Sequence, residues 1–273
     1  MSSRTTTPTH PPAVLTIAGS DPSGGAGIQG DLKTFTALGA YGTAVITALT
    51  AQATTGVSGV HEVPADFVAE QIHTLLGDVR IDAVKIGMLA TAEIIGAVAS
   101  ALAPYPKVPI VLDPVMVSTS GSRLLDDDAT TALRDFLPRV SLVTPNIPEA
   151  AALTGTSPAL DLPGRRAQAA QLQQLGAARV LITGGHAKQA NAEDLWREGE
   201  EEQLLVSAWV DSRNTHGTGC ALSSAIAALC PRAPSLLEAA REAKQWLHGA
   251  VSHADELRIG HGPGPVHHCH GLW

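Results

Sequence analysis

Short apolar runs and helix-spaced apolar stripes follow one another along this chain. Val14 to Ala18 is such a run, closed by Gly19, and predicts a buried strand. A glycine-rich loop, Asp21 to Gly27, leads into a helix over Ile28 to Leu38 that Gly39 stops. Ala44 to Leu49 predicts the next strand, and Val57, Gly59, Val60 and Val63 short extended pieces before Pro64. Ala65 to Leu76 has helical spacing, with Phe67, Val68, Ile72, Leu75 and Leu76 on one side. The alternation then repeats. Strands are predicted at Ala83 to Ile86, Pro109 to Leu112, Leu142 to Thr144 and Val180 to Thr183. Helices are predicted at Thr91 to Leu102, Ala129 to Leu137 and Gln168 to Leu175. Leu195 to Trp196 and Leu204 to Val206 predict a hairpin, and Gly217 to Leu229 and Leu236 to Ala254 two closing helices.

Strands alternating with helices imply an α/β protein with a mostly parallel sheet covered on both faces. Ligands in such sheets sit at the carboxyl ends of the strands. The glycine-rich loop, Asp113, the Asn146 region, Thr183 and the stretch before Gly217 all follow strands or extended segments, so they are expected on one edge. The polar segment before about Ala13 reads as a tail, and residues 14–273 as one domain.

Composition narrows the function. With 18 Lys and Arg against 26 Asp and Glu the formal charge is −8, which disfavours broad binding to a phosphate backbone. Only 3% of residues are aromatic, few for a base-stacking surface, so no nucleic-acid partner is expected. Three scattered cysteines make neither a disulfide framework nor a CxxC zinc site. Neither a signal peptide nor an apolar run of bilayer length is evident, so the expected location is the cytoplasm, with no membrane partner.

Gly25-Ala26-Gly27-Ile28-Gln29-Gly30 matches the dinucleotide fingerprint G-x-G-x-x-G between a strand and a helix. That fingerprint needs an acidic residue about twenty positions on to hold the ribose. From Leu32 through His61 the chain has no Asp or Glu, so NAD is not the expected ligand. The P-loop pattern fails as well, because Gly30 is followed by Asp31.

The strongest local signal is Asn214-Thr215-His216-Gly217-Thr218-Gly219-Cys220, at the start of an Ala-rich helix. Its glycines let backbone N–H groups approach a ligand, and the helix dipole favours an anion there. Gly217, Thr218 and Gly219 are therefore candidates for stabilising a transferring phosphoryl group. Cys220 falls in the first turn, where a thiol is expected to have a depressed pKa and to serve as base or nucleophile.

Seven stretches together resemble one family: Leu15 to Phe35, Ala37 to Gln52, Lys85 to Leu89 (K-I-G-M-L), Val111 to Met116 (V-L-D-P-V-M), Thr144 to Ala150 (T-P-N-I-P-E-A), Asn214 to Cys220 and Gly260 to His268. On these the chain resembles the hydroxymethylpyrimidine/phosphomethylpyrimidine kinases of thiamine biosynthesis, in the ribokinase-like superfamily. The resemblance implies a ribokinase-like three-layer sandwich, a homodimer, and two successive transfers. MgATP first phosphorylates 4-amino-5-hydroxymethyl-2-methylpyrimidine and then its monophosphate.

It also implies roles. Gln52 looks like the pyrimidine reader, since an amide offers both donor and acceptor to an aminopyrimidine edge. Gly19, Asp31, Met88 and Val115 fall at positions that line the pyrimidine pocket in similar proteins. Taken alone, Asp31 also reads as a carboxylate near a helix start, and Met88 and Val115 as core. Asn146 and Glu149 resemble the magnesium and phosphate motif. Asp113 is a second candidate for placing Mg2+ or phosphate, through oxygen ligands and water. Cys220 stands where sugar kinases of the superfamily carry an Asp base.

Two departures remove positive charge. Thr183 and Thr119 stand where many relatives carry lysine, leaving Thr183 a hydrogen-bonding contact to phosphate. His261, His267, His268 and His270 crowd the C-terminus beside Cys269, more as structural or lid contacts than as a metal cluster. Two alternatives remain at this point. One is a pyridoxal kinase of the same superfamily, and the other a catalytically silent regulator that binds a pyrimidine.

Overall fold

The computed structural model describes residues 10–116, 127–185 and 191–273. The first strand and helix are β1 (Ala13–Ala18) and α1 (Gly27–Ala37). They are followed by β2 (Tyr41–Ile46), β3 (Ala48–Ala53), β4 (Gly56–Glu62) and α2 (Ala65–Asp78). Next come β5 (Ala83–Ile86), α3 (Ala92–Leu102), β6 (Ile110–Leu112), α4 (Asp127–Phe136), β7 (Leu142–Val143) and α5 (Ile147–Thr154). The chain closes with α6 (Leu162–Gln174), β8 (Arg179–Ile182), β9 (Asn191–Glu198), β10 (Glu201–Ala208), α7 (Thr218–Leu229) and α8 (Leu236–Ser252).

Eight strands form one sheet in the order β10-β9-β8-β7-β6-β5-β1-β2. β2, β1, β5, β6, β7 and β8 pair in parallel, and β9 and β10 add an antiparallel edge. β3 and β4 form a separate two-stranded ribbon. The order reverses at β1, because the chain builds β2 on one side and then returns to β5 on the other. That reversal opens a crevice at the carboxyl ends of the strands, where α/β sheets take ligands.

Strand alternation builds the layers. Leu15, Ile17, Val84, Ile86, Ile110, Leu112, Val143 and Ile182 face one core, shared with α2 to α6. Val14, Ala83, Val111, Leu142 and Leu181 face the other, shared with α1, α7 and α8. Both faces are covered, so the strands read as continuous apolar runs. In α7 every residue from Ala221 to Leu229 is buried. Its alanines and serines let it lie close against the sheet.

The structure departs from the sequence expectation at three places. The apolar stretch Ala44 to Leu49 is two strands in different sheets, because Thr47 turns the chain: its Oγ1 donates to the Met88 carbonyl at 2.6 Å. Phe67 is 52% exposed and lies off the buried stripe that Val68 and Ile72 make on α2. A short helix, α5, follows Asn146, in a stretch to which the apolar pattern assigned no element. Among the described residues no helix is long and apolar enough to cross a membrane.

Candidate active site

Each candidate residue is placed by the end of an element. Asp113 follows β6, and its backbone N–H donates to the Ile86 carbonyl of β5 at 2.8 Å. Asn146 follows β7 and caps α5. Its Oδ1 accepts from the Glu149 N–H and Glu149 Oε2 accepts from the Asn146 N–H, both at 2.9 Å. This reciprocal capping box satisfies two orphan donors and fixes the Glu149 carboxylate. Thr183 follows β8 and bridges to Asn146 through its N–H, which donates to the Pro145 carbonyl at 2.9 Å. The turn after it is held by Asp194, which accepts from Gly184 N–H at 3.0 Å and from Lys244 Nζ at 2.6 Å.

Gly217 starts α7 with φ of +80°, a left-handed conformation that favours glycine. A Cβ there would fall 1.8 Å from the Gly25 carbonyl oxygen, so the glycine-rich loop and this turn are in direct contact. Gly219 lies over Asp113, its would-be Cβ 3.7 Å from Oδ2. The Thr218 hydroxyl is engaged locally, donating to the Thr215 carbonyl at 2.6 Å. Cys220 is half-buried, and the Gly27 N–H and the Asp113 carboxylate both act on its thiol. Ser223 donates to Asp113, at 3.1 Å to Oδ2.

The electrostatics correct one expectation. The Cys220 thiol is not depressed: burial pushes it up to about 12, and the negative charges of Asp113 and Asp31 add to burial against the pull of Lys85. The helix N-terminus does not outweigh that surround. Burial likewise raises Asp113 to about 6, opposed by Lys85 and the Ser223 hydrogen bond. Glu149 is raised to about 8 by burial and by the charge of Asp113, against the N–H donors of Asn146 and Met116.

A second group of candidate residues lies at β1, β3 and β5. A Cβ on Gly19 would sit 3.2 Å from Met88 Sδ and 3.6 Å from the Ala48 carbonyl. β3 is stitched to this corner by Thr50, whose N–H donates to Ser20 Oγ at 3.0 Å. Gln52 lies two residues further along β3, at a break in register with β4, and is half-buried. It lines an open groove of about 600 Å³ with Pro22, Thr55, Val57 and Ser58. Val115 is partly buried against the larger core.

Asp31, expected beside the pyrimidine, is fully buried. Its carboxylate accepts from Thr16 Oγ1 at 2.5 Å, Ser224 Oγ at 2.6 Å and Lys85 Nζ at 2.9 Å. It therefore lies beneath the site. Thr119 lies outside the described residues.

The sequence reading gave no role to Lys85, Asp21, His216, Ser223 or Ser224. Lys85 had a signal, a charged residue within the apolar strand Ala83–Ile86, where burial demands a partner. In the C-terminal segment His267 and His268 are buried, and His270 stacks on His253 with ring centroids 5.6 Å apart. Among the described residues no group of three or more His, Cys, Asp or Glu is arranged to hold a metal.

The model of the phosphomethylpyrimidine kinase family matches residues 21–267. The hydroxymethylpyrimidine/phosphomethylpyrimidine kinase of Escherichia coli K12 is 50% identical over 266 residues, covering 95% of this chain and 98% of that protein. Among solved structures, the ADP complex of Bacillus subtilis pyridoxal kinase superposes with a TM-score of 0.87 at 33% identity, over 94% of this chain and 97% of that one. Phosphomethylpyrimidine kinase from Clostridium difficile 630 gives 0.77 at 38% identity, over 88% and 99%. The fold is ribokinase-like, and the chain belongs to the phosphomethylpyrimidine kinase family of phosphotransferases.

Proposed function

We propose that one site carries two successive phosphoryl transfers from ATP, first to the hydroxyl of 4-amino-5-hydroxymethyl-2-methylpyrimidine and then to the resulting monophosphate. The activity is that of a hydroxymethylpyrimidine/phosphomethylpyrimidine kinase in thiamine biosynthesis. The observation that carries the assignment of the site is the Gly217–Cys220 turn set directly over Asp113. Its N–H groups, at a helix N-terminus, suit the charge of a transferring phosphoryl group.

At neutral pH the thiol of Cys220 keeps its proton, so it is not a standing thiolate base. The hydroxyl proton instead passes to Sγ as the Sγ proton passes to the ionised carboxylate of Asp113. Each step breaks one bond to hydrogen and makes one. The second acceptor is a phosphate oxygen, already anionic near neutral pH, and needs positioning rather than this relay.

Gln52 reads the aminopyrimidine edge, with Gly19, Met88 and Val115 around the ring. Asn146 and Thr183 border the ATP phosphates. Glu149 suits Mg2+ as a hard oxygen donor whose ionisation the charge of Asp113 makes costly, a cost that a divalent cation relieves, while Asp113 would face the ion through water and keep its carboxylate for the relay. A site with two carboxylates is enough, since Mg2+ in kinases completes its shell with phosphate and water. Bound there, the ion would neutralise charge on the phosphates.

Residues 14–273 act as one kinase domain behind a short tail, in the cytoplasm, where three free thiols are stable. The working form is a homodimer, to be checked by light scattering on the purified protein. A second reading, pyridoxal phosphorylation, is favoured by the pyridoxal kinase superposition. One experiment tests both readings. The protein is incubated with ATP and Mg2+ and either the pyrimidine or pyridoxal, and products are read by mass spectrometry. One and then two phosphoryl groups added to the pyrimidine are expected. Pyridoxal as the only substrate would reverse the assignment.

A further inference from the structure

Asp21 and His216 are 195 positions apart in sequence, yet Asp21 Oδ2 lies 2.7 Å from His216 Nε2, and both residues are buried. Asp21 is also the hub of the glycine-rich loop. Its Oδ1 accepts from the N–H and hydroxyl of Ser23, at 2.9 and 2.7 Å. Its Oδ2 accepts from the N–H groups of Gly25 and Ala26, at 3.2 and 2.8 Å. The loop is thus wound around this protein's own carboxylate, which hydrogen bonds hold at a pKa of about 2 although burial opposes them. One residue after the wound segment, the Gly27 N–H is near enough to the Cys220 thiol to pull its pKa down.

His216 stands immediately before the left-handed Gly217. Its backbone is fixed independently of its ring: its N–H donates to the Gly264 carbonyl at 3.1 Å, and its carbonyl accepts from Val266 N–H at 3.2 Å. The ring is therefore the piece that reaches across to the loop. The contact it makes lies beside the place where Gly25 touches Gly217.

We propose that Asp21 and His216 are a positioning pair for phosphoryl transfer, a clamp that holds the glycine-rich loop against the Gly217–Cys220 turn. The inference rests on that turn being the phosphoryl site. Neither side chain touches the reacting groups. They set where Gly27 N–H meets Cys220 and keep the turn's N–H groups converged. An error of about 1 Å in such an array costs about 100-fold in rate.

The test uses the full-length protein with His216→Ala, His216→Gln, Asp21→Asn and the double variant Asp21→Asn/His216→Ala. His216→Ala is expected to lower kcat for the alcohol step about 30- to 100-fold, with KM for ATP and for the pyrimidine within about twofold of wild type. Gln places an amide donor near the position of Nε2 and is expected to restore kcat to within about fivefold of wild type. The double variant should be no slower than the worse single variant, as coupled residues require. Unchanged kcat in His216→Ala, no rescue by Gln, or additive losses would each overturn the clamp.

Alkylation of Cys220 by iodoacetamide, followed peptide by peptide in the ligand-free protein, separates this inference from the functional reading. Release of the loop should speed alkylation about tenfold in His216→Ala, whether or not the wild type turns over. If the wild type is inactive on the pyrimidine, the functional reading falls and this rate judges the clamp. An unchanged rate would then reject it.

Discussion

Lys85 Nζ lies 2.9 Å from both carboxylate oxygens of Asp31, and neither side chain has any exposure. Thr16 and Ser224 complete the shell of Asp31, so one carboxylate joins β1, β5, α1 and α7 under the site. Breaking a buried pair strands a charge, whereas replacing both members with apolar groups is often tolerated. Lys85→Met is expected to lose about 3–5 kcal/mol in urea unfolding. Lys85→Met combined with Asp31→Leu should recover more than half of that. A loss under about 1 kcal/mol in the single variant would mean that the pair is not an anchor.

Glu149 sets stability against function. Its acid is raised to about 8 from an ordinary value of 4.5, so the folded ligand-free protein holds the proton more tightly than the unfolded chain does. That contribution is fully present below about pH 4.5 and is lost as pH rises toward 8. Glu149→Gln keeps an acceptor for the Asn146 N–H, because Gln also serves at this position of a capping box. The variant should match wild type in Tm at pH 5 and exceed it by about 3–6 °C at pH 8.5, measured without Mg2+. Its kcat should fall at least about 100-fold, since a neutral amide is a poor Mg2+ ligand. A variant no more stable than wild type at pH 8.5 would show that this carboxylate carries no ionisation strain.

The Gly217 turn tolerates no side chain. Left-handed backbone costs an L-residue about 1–2 kcal/mol, and the Cβ would press on the Gly25 carbonyl. Gly217→Ala should therefore lower stability by at least that amount and displace the turn, cutting kcat by about 100-fold. Gly77→Ala is the control: it lies in α2 with nothing within 4 Å of a new Cβ, and it should gain up to about 1 kcal/mol. Equal kcat in the two variants would count against the turn as the phosphoryl site.

Local pattern carried the sheet and most helices, because strand and helix periods are written in neighbouring residues. Ala83 to Ile86 was legible to the residue, and the closing helices to within two. The division of Ala44 to Leu49 was not, since the turn at Thr47 depends on the Met88 carbonyl from a distant segment. The motif residues at strand ends were legible one by one. Their electrostatics were not: the helix N-terminus beside Cys220 is local, but Asp31, Asp113 and Lys85 reach it through the fold. Asp21 and His216 flank the two glycine-rich segments in plain view, and only the fold shows that they meet.

Cys220 ties these threads to a measurable rate. A thiol pushed up to about 12 is almost wholly protonated at neutral pH, so the ligand-free protein should alkylate slowly at this residue. The rate should climb close to tenfold per pH unit from 7 to 10 without a plateau. A plateau below pH 9 would mean that a thiolate is already formed and that Cys220 is a base by itself. The same residue should separate the two transfers. Cys220→Ala removes the relay to Asp113 and should slow phosphorylation of the alcohol by about 100- to 1,000-fold. Phosphorylation of the monophosphate needs no proton removed from its acceptor and should slow by about tenfold or less. Cys220→Ser keeps a hydroxyl that can donate to Asp113 and should fall between wild type and Ala in the first step. The two steps are assayed separately by supplying each acceptor with ATP and Mg2+. Equal losses in both would place Cys220 in positioning alone and leave the hydroxyl proton to another acceptor.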